Sequence, residues 1–490
     1  MSSSFPAPIY RDTVLTPIFE DAKRLFFGVM LEIDYAHTVM LAERGINTPA
    51  VTAACLDALD RLDHDAILHS VYDGSVEDLF FLVEQQLATL CGSEAAGRIH
   101  TARSRNDLDL TMYRMVLRVN MLDLYEASLE LRTHLLALAS RYRAAPIPAY
   151  THNQPAQPTT LGHYLMAFVE VFERDASRVR SAWPRLNLSP LGACAITTTG
   201  FPIDRQRTAS LLGFDGLQTN SYGAIASIDY MTECCAYLVT SMLNLGRLSQ
   251  DMILYSTAEF NYLRLSDGYV QTSSIMPQKR NPVPLEHARI LASRSMTEAQ
   301  AVLSSLHNTP FADMNDSEDP LQELVDTAFK DAMRALHLLA GALSEATFNI
   351  EHMKERADSD FLTVTELADT LVRTTGISFH QAHTFVAQAV KDANGTFNRE
   401  RMVDSVTASL AAAQIPAPTR QLLLESLDAE NFIQLRSIPG GPAAAALDPE
   451  IDRAQVQLAE DKTWLAARRE QLTHASSTLR NTVNSWKAQS

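Results

Sequence analysis

Cations, glycine and cysteine are all scarce in this chain. Its 490 residues hold 41 Lys and Arg against 58 Asp and Glu, a formal charge of −17 that repels polyanions and argues against a nucleic-acid partner. The 5 cysteines are odd in number and include the neighbours Cys234 and Cys235, poor disulfide partners, so they read as buried small residues. No CxxC pair, HExxH or histidine cluster at ligand spacing occurs, and no metal is expected. No apolar run approaches the roughly 18 residues of a membrane span. The start, Met1-Ser2-Ser3-Ser4-Phe5-Pro6, has no basic stretch followed by an apolar one. A soluble, cytoplasmic protein without a membrane role is therefore expected.

With only 18 glycines and 46% apolar residues, what remains is helix and a large core. Apolar residues recur at helical spacing along Leu161, Leu165, Phe168, Val169 and Phe172, and again from Leu321 through Val325, Phe329 and Leu336 to Leu343. The stretch from Ala224 to about Tyr255 is apolar on several faces and should lie deep in a bundle. These patterns predict an all-α chain of three helical domains: residues 1–107, a central long-helix bundle over 108–357, and residues 358–490. Segments rich in Pro, Gly and polar residues, 144–158 and 308–320, read as connections at the bundle ends. The Pro-interrupted stretch 437–449 reads as a loop before the last helix.

Three polar segments stand at these junctions, where catalytic loops are mounted on rigid helices. They are His100-Thr101-Ala102-Arg103-Ser104-Arg105-Asn106-Asp107, Thr151-His152-Asn153-Gln154-Pro155-Ala156-Gln157-Pro158, and Ser273-Ser274-Ile275-Met276-Pro277-Gln278-Lys279-Arg280-Asn281-Pro282. The last packs two hydroxyls, a lysine, an arginine and an amide around an apolar hinge, as a flap closing over an anion would. If the ligand is an anion, Arg103, Arg105, Lys279 and Arg280 are the cations within reach. Any one of them taken singly reads equally well as an exposed charge, and His152 as a structural histidine.

Together the segments resemble the fumarase/aspartase superfamily, and within it the argininosuccinate lyase branch, marked by His-Thr-x-Arg-Ser-Arg-Asn-Asp and Thr-His-x-Gln-x-Ala-Gln-Pro. The resemblance runs from about residue 70 to residue 395 and includes Gly192-Ala193, Pro202-Ile203-Asp204-Arg205 and the stretch from Glu366 to Arg373. It implies a cofactor-independent carbon–nitrogen lyase that releases fumarate from an N-substituted aspartate. It implies too a homotetramer whose sites each take loops from three chains, with the signature loop over 270–286. Removing a weakly acidic proton beside a carboxylate creates a dianion, which demands preorganised donors. By resemblance Ser273 is the base, aided by Lys279 and backbone N–H groups. His152, oriented by Glu286, protonates the leaving nitrogen. Arg103, Ser104, Arg105, Asn106, Thr151, Gln157, Ser274 and Asn281 bind the substrate.

Departures from the family gather on the amine half. A family segment Tyr-Asn-Lys-Asp-Met-Gln-Glu-Asp-Lys that grips arginine aligns here with Pro310-Phe311-Ala312-Asp313-Met314-Asn315-Asp316-Ser317-Glu318. Phe80, Ile228 and Val283 stand where the family has polar residues. An amine other than arginine is the resulting expectation, because a pocket without partners rejects a polar group strongly. Three alternatives stay open: a true argininosuccinate lyase that uses Asp313, Asp316 or Glu318; a catalytically silent, crystallin-like homologue; and cleavage of a C–O bond.

Overall fold

The computed structural model describes residues 5–488. Five long helices form its body: α1 (Arg105–Arg141), α2 (Leu161–Leu186), α3 (Asp229–Tyr255), α4 (Val283–Ser305) and α5 (Asp319–Ser344). Each starts where the sequence supplies a stop for the preceding turn or loop. Ser104 caps α1 in a reciprocal capping box with Asp107, and Thr160 accepts from the His163 N–H at the head of α2. Pro284 and Pro320 open α4 and α5, where a missing N–H costs nothing. Leu122, Leu131, Val169, Leu238, Leu245, Phe329 and Leu339 are fully buried between these helices. Each contributes about 1.5–3 kcal/mol relative to an exposed side chain.

Two departures from the expected elements have local causes. The apolar stretch from Ala224 to Tyr255 is two helices, Ser221–Ala226 and α3, because Ser227 is extended (ψ 132°) and Ile228 leaves helical geometry. The connection 144–158 is a two-stranded ribbon, β1 (Pro146–Thr151) against β2 (Gln154–Thr160). Its prolines misled the reading: Pro148 and Pro158 face each other across the ribbon, a pairing that needs no N–H from either. Gly162 follows immediately, where a Cβ would lie 2.5 Å from the Arg143 Cα, so only glycine lets α2 set off so close to the end of α1.

Short strands gird the same end of the bundle. β3 (Leu263–Arg264) pairs with β6 (Thr347–Phe348), and β4 (Gln271–Thr272) pairs with β5 (Arg280–Asn281), closing residues 273–279 into a hairpin loop.

A second core joins Phe27–Glu43, Pro49–Asp60 and Leu79–Cys91 to the first turns of α1 and to the 191–225 region. A third holds the helices Val364–Thr375, Phe379–Asp392 and Arg399–Ala412. The last helix, Ala444–Lys487, begins earlier than the reading of 437–449 as a loop allows and contains Pro449; a run of alanines, the best helix formers, outweighs one proline near its start. It leaves the third core and packs along the bundle. The buried Asp461 pairs with Arg132 at 2.8 Å and Arg180 at 3.0 Å, Trp464 meets Tyr125 and Trp183, and Leu479 and Val483 enter the second core. Among the described residues no single helix is long and apolar enough to cross a membrane.

Candidate functional site

The segment at Ser104 is built by burial from behind. Arg103 forms an enclosed ion pair with Asp34 at 2.6 Å. His37, pushed down to about 3 by burial and nearby Arg103, is neutral and donates its Nε2–H to the Thr101 carbonyl at 2.8 Å. Asp107 is wholly buried and accepts N–H groups from Ser104, Gly192 and Cys194 at 2.9, 2.7 and 2.9 Å. Those bonds lock the head of α1 to the 190s loop. Gly192 is required there: its φ is +85°, and a Cβ would meet the Arg205 side chain at 2.5 Å. Arg205 in turn donates to the carbonyls of Leu191 and Gln218, so the Ile203-Asp204-Arg205 motif is a brace.

This construction changes the reading of two arginines. Arg103 is buried and paired with Asp34. Arg105 donates to Glu77 at 3.0 Å and Asp78 at 2.5 Å and stacks over the Phe81 ring, so its charge is already matched by two carboxylates from a distant part of the sequence. Ser104 and Asn106 remain half-buried at the surface, with the Asn106 amide donating to the Ala195 carbonyl at 3.2 Å. The hydroxyl-rich stretch Thr197-Thr198-Thr199 follows on that docked loop.

His152 and Asn153 form the tip of the β1–β2 ribbon, both in the left-handed region (φ 53° and 59°), and Thr151 and His152 are exposed. The Gln157 amide donates to Thr365 Oγ1 at 3.2 Å, tying the ribbon to the C-terminal helices. The 273–282 loop is the most open of the three segments. Ser273 Oγ accepts from the N–H groups of Ile275 at 3.4 Å and Met276 at 3.1 Å. Ser274 and Lys279 are exposed, and Ile275 is 82% exposed, so the hinge expected to be apolar has no cover within the chain. Arg280 is not free: it pairs with Asp267 and donates to the Leu265 carbonyl, which pins the base of the loop. Asn281 is half-buried beside β4, and Glu286 is exposed on the first turn of α4.

The Ser104 segment does not meet the other two within one chain. At about 1.5 Å per residue, the 37 residues of α1 span about 55 Å from Ser104 to the ribbon that carries His152. The loop at Ser273 lies at the ribbon's end: Tyr150 and Tyr262 hydroxyls are 3.3 Å apart, and β3 pairs with β6 beyond the far end of α5. The near end of α5 sits with Ser104's neighbourhood, where Tyr113 donates to Asp319 at 2.5 Å. Phe80 and Ile228 belong to that near end, the Phe80 ring tilted against His100, whereas Val283 opens α4 at the far end. No side-chain hydrogen bond among the described residues joins any two of the three segments.

A family model described as Lyase matches residues 29–296, and one described as Argininosuccinate lyase C-terminal matches residues 361–434. Argininosuccinate lyase 2 of Agrobacterium fabrum is 42% identical over 449 residues, covering 90% of this chain and 89% of the relative. The Methanosarcina mazei argininosuccinate lyase is 33% identical and covers 95% of this chain and 94% of the relative. Among solved structures, a variant of EDDS lyase with bound fumarate superposes with a TM-score of 0.87 at 32% identity, covering 98% of this chain and 97% of that one. A class II fumarase from Schistosoma mansoni, at 16% identity, 83% of this chain, 89% of that one and a TM-score of 0.65, shares the fold alone. On these matches and on the helical architecture above, the chain belongs to the argininosuccinate lyase branch of the fumarase/aspartase superfamily and is a carbon–nitrogen lyase that releases fumarate.

Proposed function

We propose that the chain eliminates fumarate reversibly from an N-substituted aspartate without a cofactor, in sites shared between copies of itself. Ser273 takes the proton from the carbon next to a carboxylate. The electron pair left behind forms the double bond, the C–N bond breaks toward nitrogen, and His152 returns a proton to the leaving amine. The observation that carries this reading is the setting of Ser273: two backbone N–H groups are aimed at its oxygen and the ammonium of Lys279 lies on the same loop. Such donors favour the anionic form that an ordinary hydroxyl does not reach near neutral pH. Lys279, Asn281 and Ser274 bind carboxylate from the loop side, with Thr151 and Gln157 on the ribbon and Ser104 and Asn106 on the bundle supplying further donors. Glu286 is the carboxylate that orients His152.

Sharing follows from the separation of the segments. A site that uses Ser104, His152 and Ser273 needs more than one copy, because α1 holds the first about 55 Å from the second. Exposed apolar side chains on the bundle, Val119, Leu243, Leu254 and Ile290, give copies a face to pack on. A homotetramer fits both features. Incubation with fumarate and a panel of amines, followed by loss of fumarate absorbance, tests the chemistry; no consumption with any amine and no fumarate from any N-substituted aspartate would overturn it.

The amine half is argued from the missing family partners: tyrosine, glutamine and both lysines are absent from 310–318, which favours an amine other than arginine. A second reading, argininosuccinate itself, draws support from Asp313 and Glu318, acceptors a guanidinium could use. Assay with argininosuccinate beside other N-substituted aspartates separates the two.

A further inference from the structure

Gly341 lies three residues before the end of α5, in ordinary right-handed helix where alanine would serve better. Space accounts for it. A Cβ at 341 would lie 2.5 Å from the Tyr269 hydroxyl oxygen and 3.4 Å from the ring carbon that bears it, so the hydroxyl occupies a seat that any side chain would fill. The seat ends a run of contacts along the last turn of α5 and beyond. From 263 to 269 the chain pairs Leu263 with Phe348 and Arg264 with Thr347, donates the Ser266 hydroxyl to Glu345 at 2.7 Å, and sets Tyr269 on Gly341, one helical turn from Glu345. Tyr269 closes the short turn Asp267–Tyr269, and its ring packs with Val270 against the bundle core.

That turn is the footing of the Ser273 loop. β4 begins two residues after Tyr269 and leads directly into Ser273. The returning arm reaches the same turn through Arg280, which pairs with Asp267 at 2.6 Å and donates to the Leu265 carbonyl at 2.9 Å. Residues 274–279 are all exposed, so the bundle fixes the loop through the 265–269 turn. We propose that Tyr269 is a positioning residue for the elimination: seated on Gly341, it holds the strand that delivers Ser273 at reacting distance from the substrate carbon. Misplacing a reacting group by about 1 Å costs up to about 100-fold in rate. The inference rests on the lyase reading with Ser273 as base, and adds to it a tyrosine and a glycine that act through Ser273.

The test fills the seat and then makes room for what fills it, in the full-length protein. Rates are read from fumarate absorbance, with argininosuccinate and with the amine that the unaltered protein consumes fastest. Gly341→Ala should lower kcat roughly tenfold or more and move KM by less than about twofold, with the melting temperature equal or higher because alanine favours the helix. Gly341→Ala/Tyr269→Phe removes the oxygen that the new methyl displaces and leaves the ring carbon at 3.4 Å, an ordinary contact, so kcat should return to within about threefold of the unaltered protein. Hydrogen exchange over 270–282 should quicken in the single variant and return in the double one. An unchanged kcat in Gly341→Ala overturns the inference, as does a loss that Tyr269→Phe does not restore or one matched by a fall in melting temperature. Loop exchange indifferent to Gly341→Ala overturns it whatever the chemistry. No consumption with any amine by the unaltered protein, and no fumarate from any N-substituted aspartate, overturns the lyase reading and the positioning role with it.

Discussion

At the Ser104 end of the bundle the loops are bolted down by buried partners, whereas at the Ser273 end the 273–279 loop is pinned only at its base. Asp107 alone gathers three backbone N–H groups there, and Asp34, His37 and Arg205 hold the turns on either side. The 273–279 loop has only a two-residue strand pair, the Arg280 tether and the internal bonds to Ser273. One end is therefore rigidly built. The other is an open loop whose apolar hinge has no cover within the chain. The difference teaches that rigidity is unevenly housed: buried pairings fix the Ser104 end, whereas the loop bearing Ser273 is held at its base alone.

The comparison can be broken at its chemical end first. Ser273→Ala is expected to lower fumarate release by roughly 10²–10⁴-fold, with the melting temperature unchanged because the loop carries no core. Full activity in that variant would remove the base from the scheme. Mixing His152→Ala with Ser273→Ala after subunit exchange should raise activity roughly tenfold or more above either parent, since some sites then draw both intact segments. Zero recovery with exchange shown by native mass spectrometry would place both groups in one chain. At the fixed end the expected loss is of stability. Asp107→Ala strands three buried N–H groups and should cost about 3 kcal/mol or more, read by denaturant unfolding. Arg280→Ala, at the open end, should leave unfolding unchanged and lower kcat.

The smallest expected effect is one of pH. Glu318 holds its proton in the folded chain up to about 8 but releases it near the ordinary carboxyl value when unfolded. Between those limits the folded state binds more protons, so this group makes stability fall as pH rises across that window, and its effect is complete above about 8. Glu318→Gln should flatten the slope of melting temperature against pH in that range.

Much of this was legible in the residues. Helix periodicity found α2 and α5, and the three motifs named the segments and the family. Long-range pairings were not legible: nothing near Arg105 in sequence says that Glu77 and Asp78 hold it, and Arg103 gives no sign of Asp34. Local conflicts misled as well. Prolines at 148, 155 and 158 read as a loop but sit in a two-stranded ribbon, and Pro449 lost to the alanines around it. The chain's acid excess was plain from composition, yet the meeting of Asp319 with Tyr113 emerges only when α5 is folded against α1.

The final helix sets a condition on biosynthesis. Leu479 and Val483 complete the core begun by the first hundred residues, and Lys487 reaches Asp60. A growing polypeptide therefore keeps its amino-terminal cluster unsealed until residues 479–487 have been made. Cutting that helix short before Leu479 strikes at a cluster nearly four hundred residues earlier in the chain.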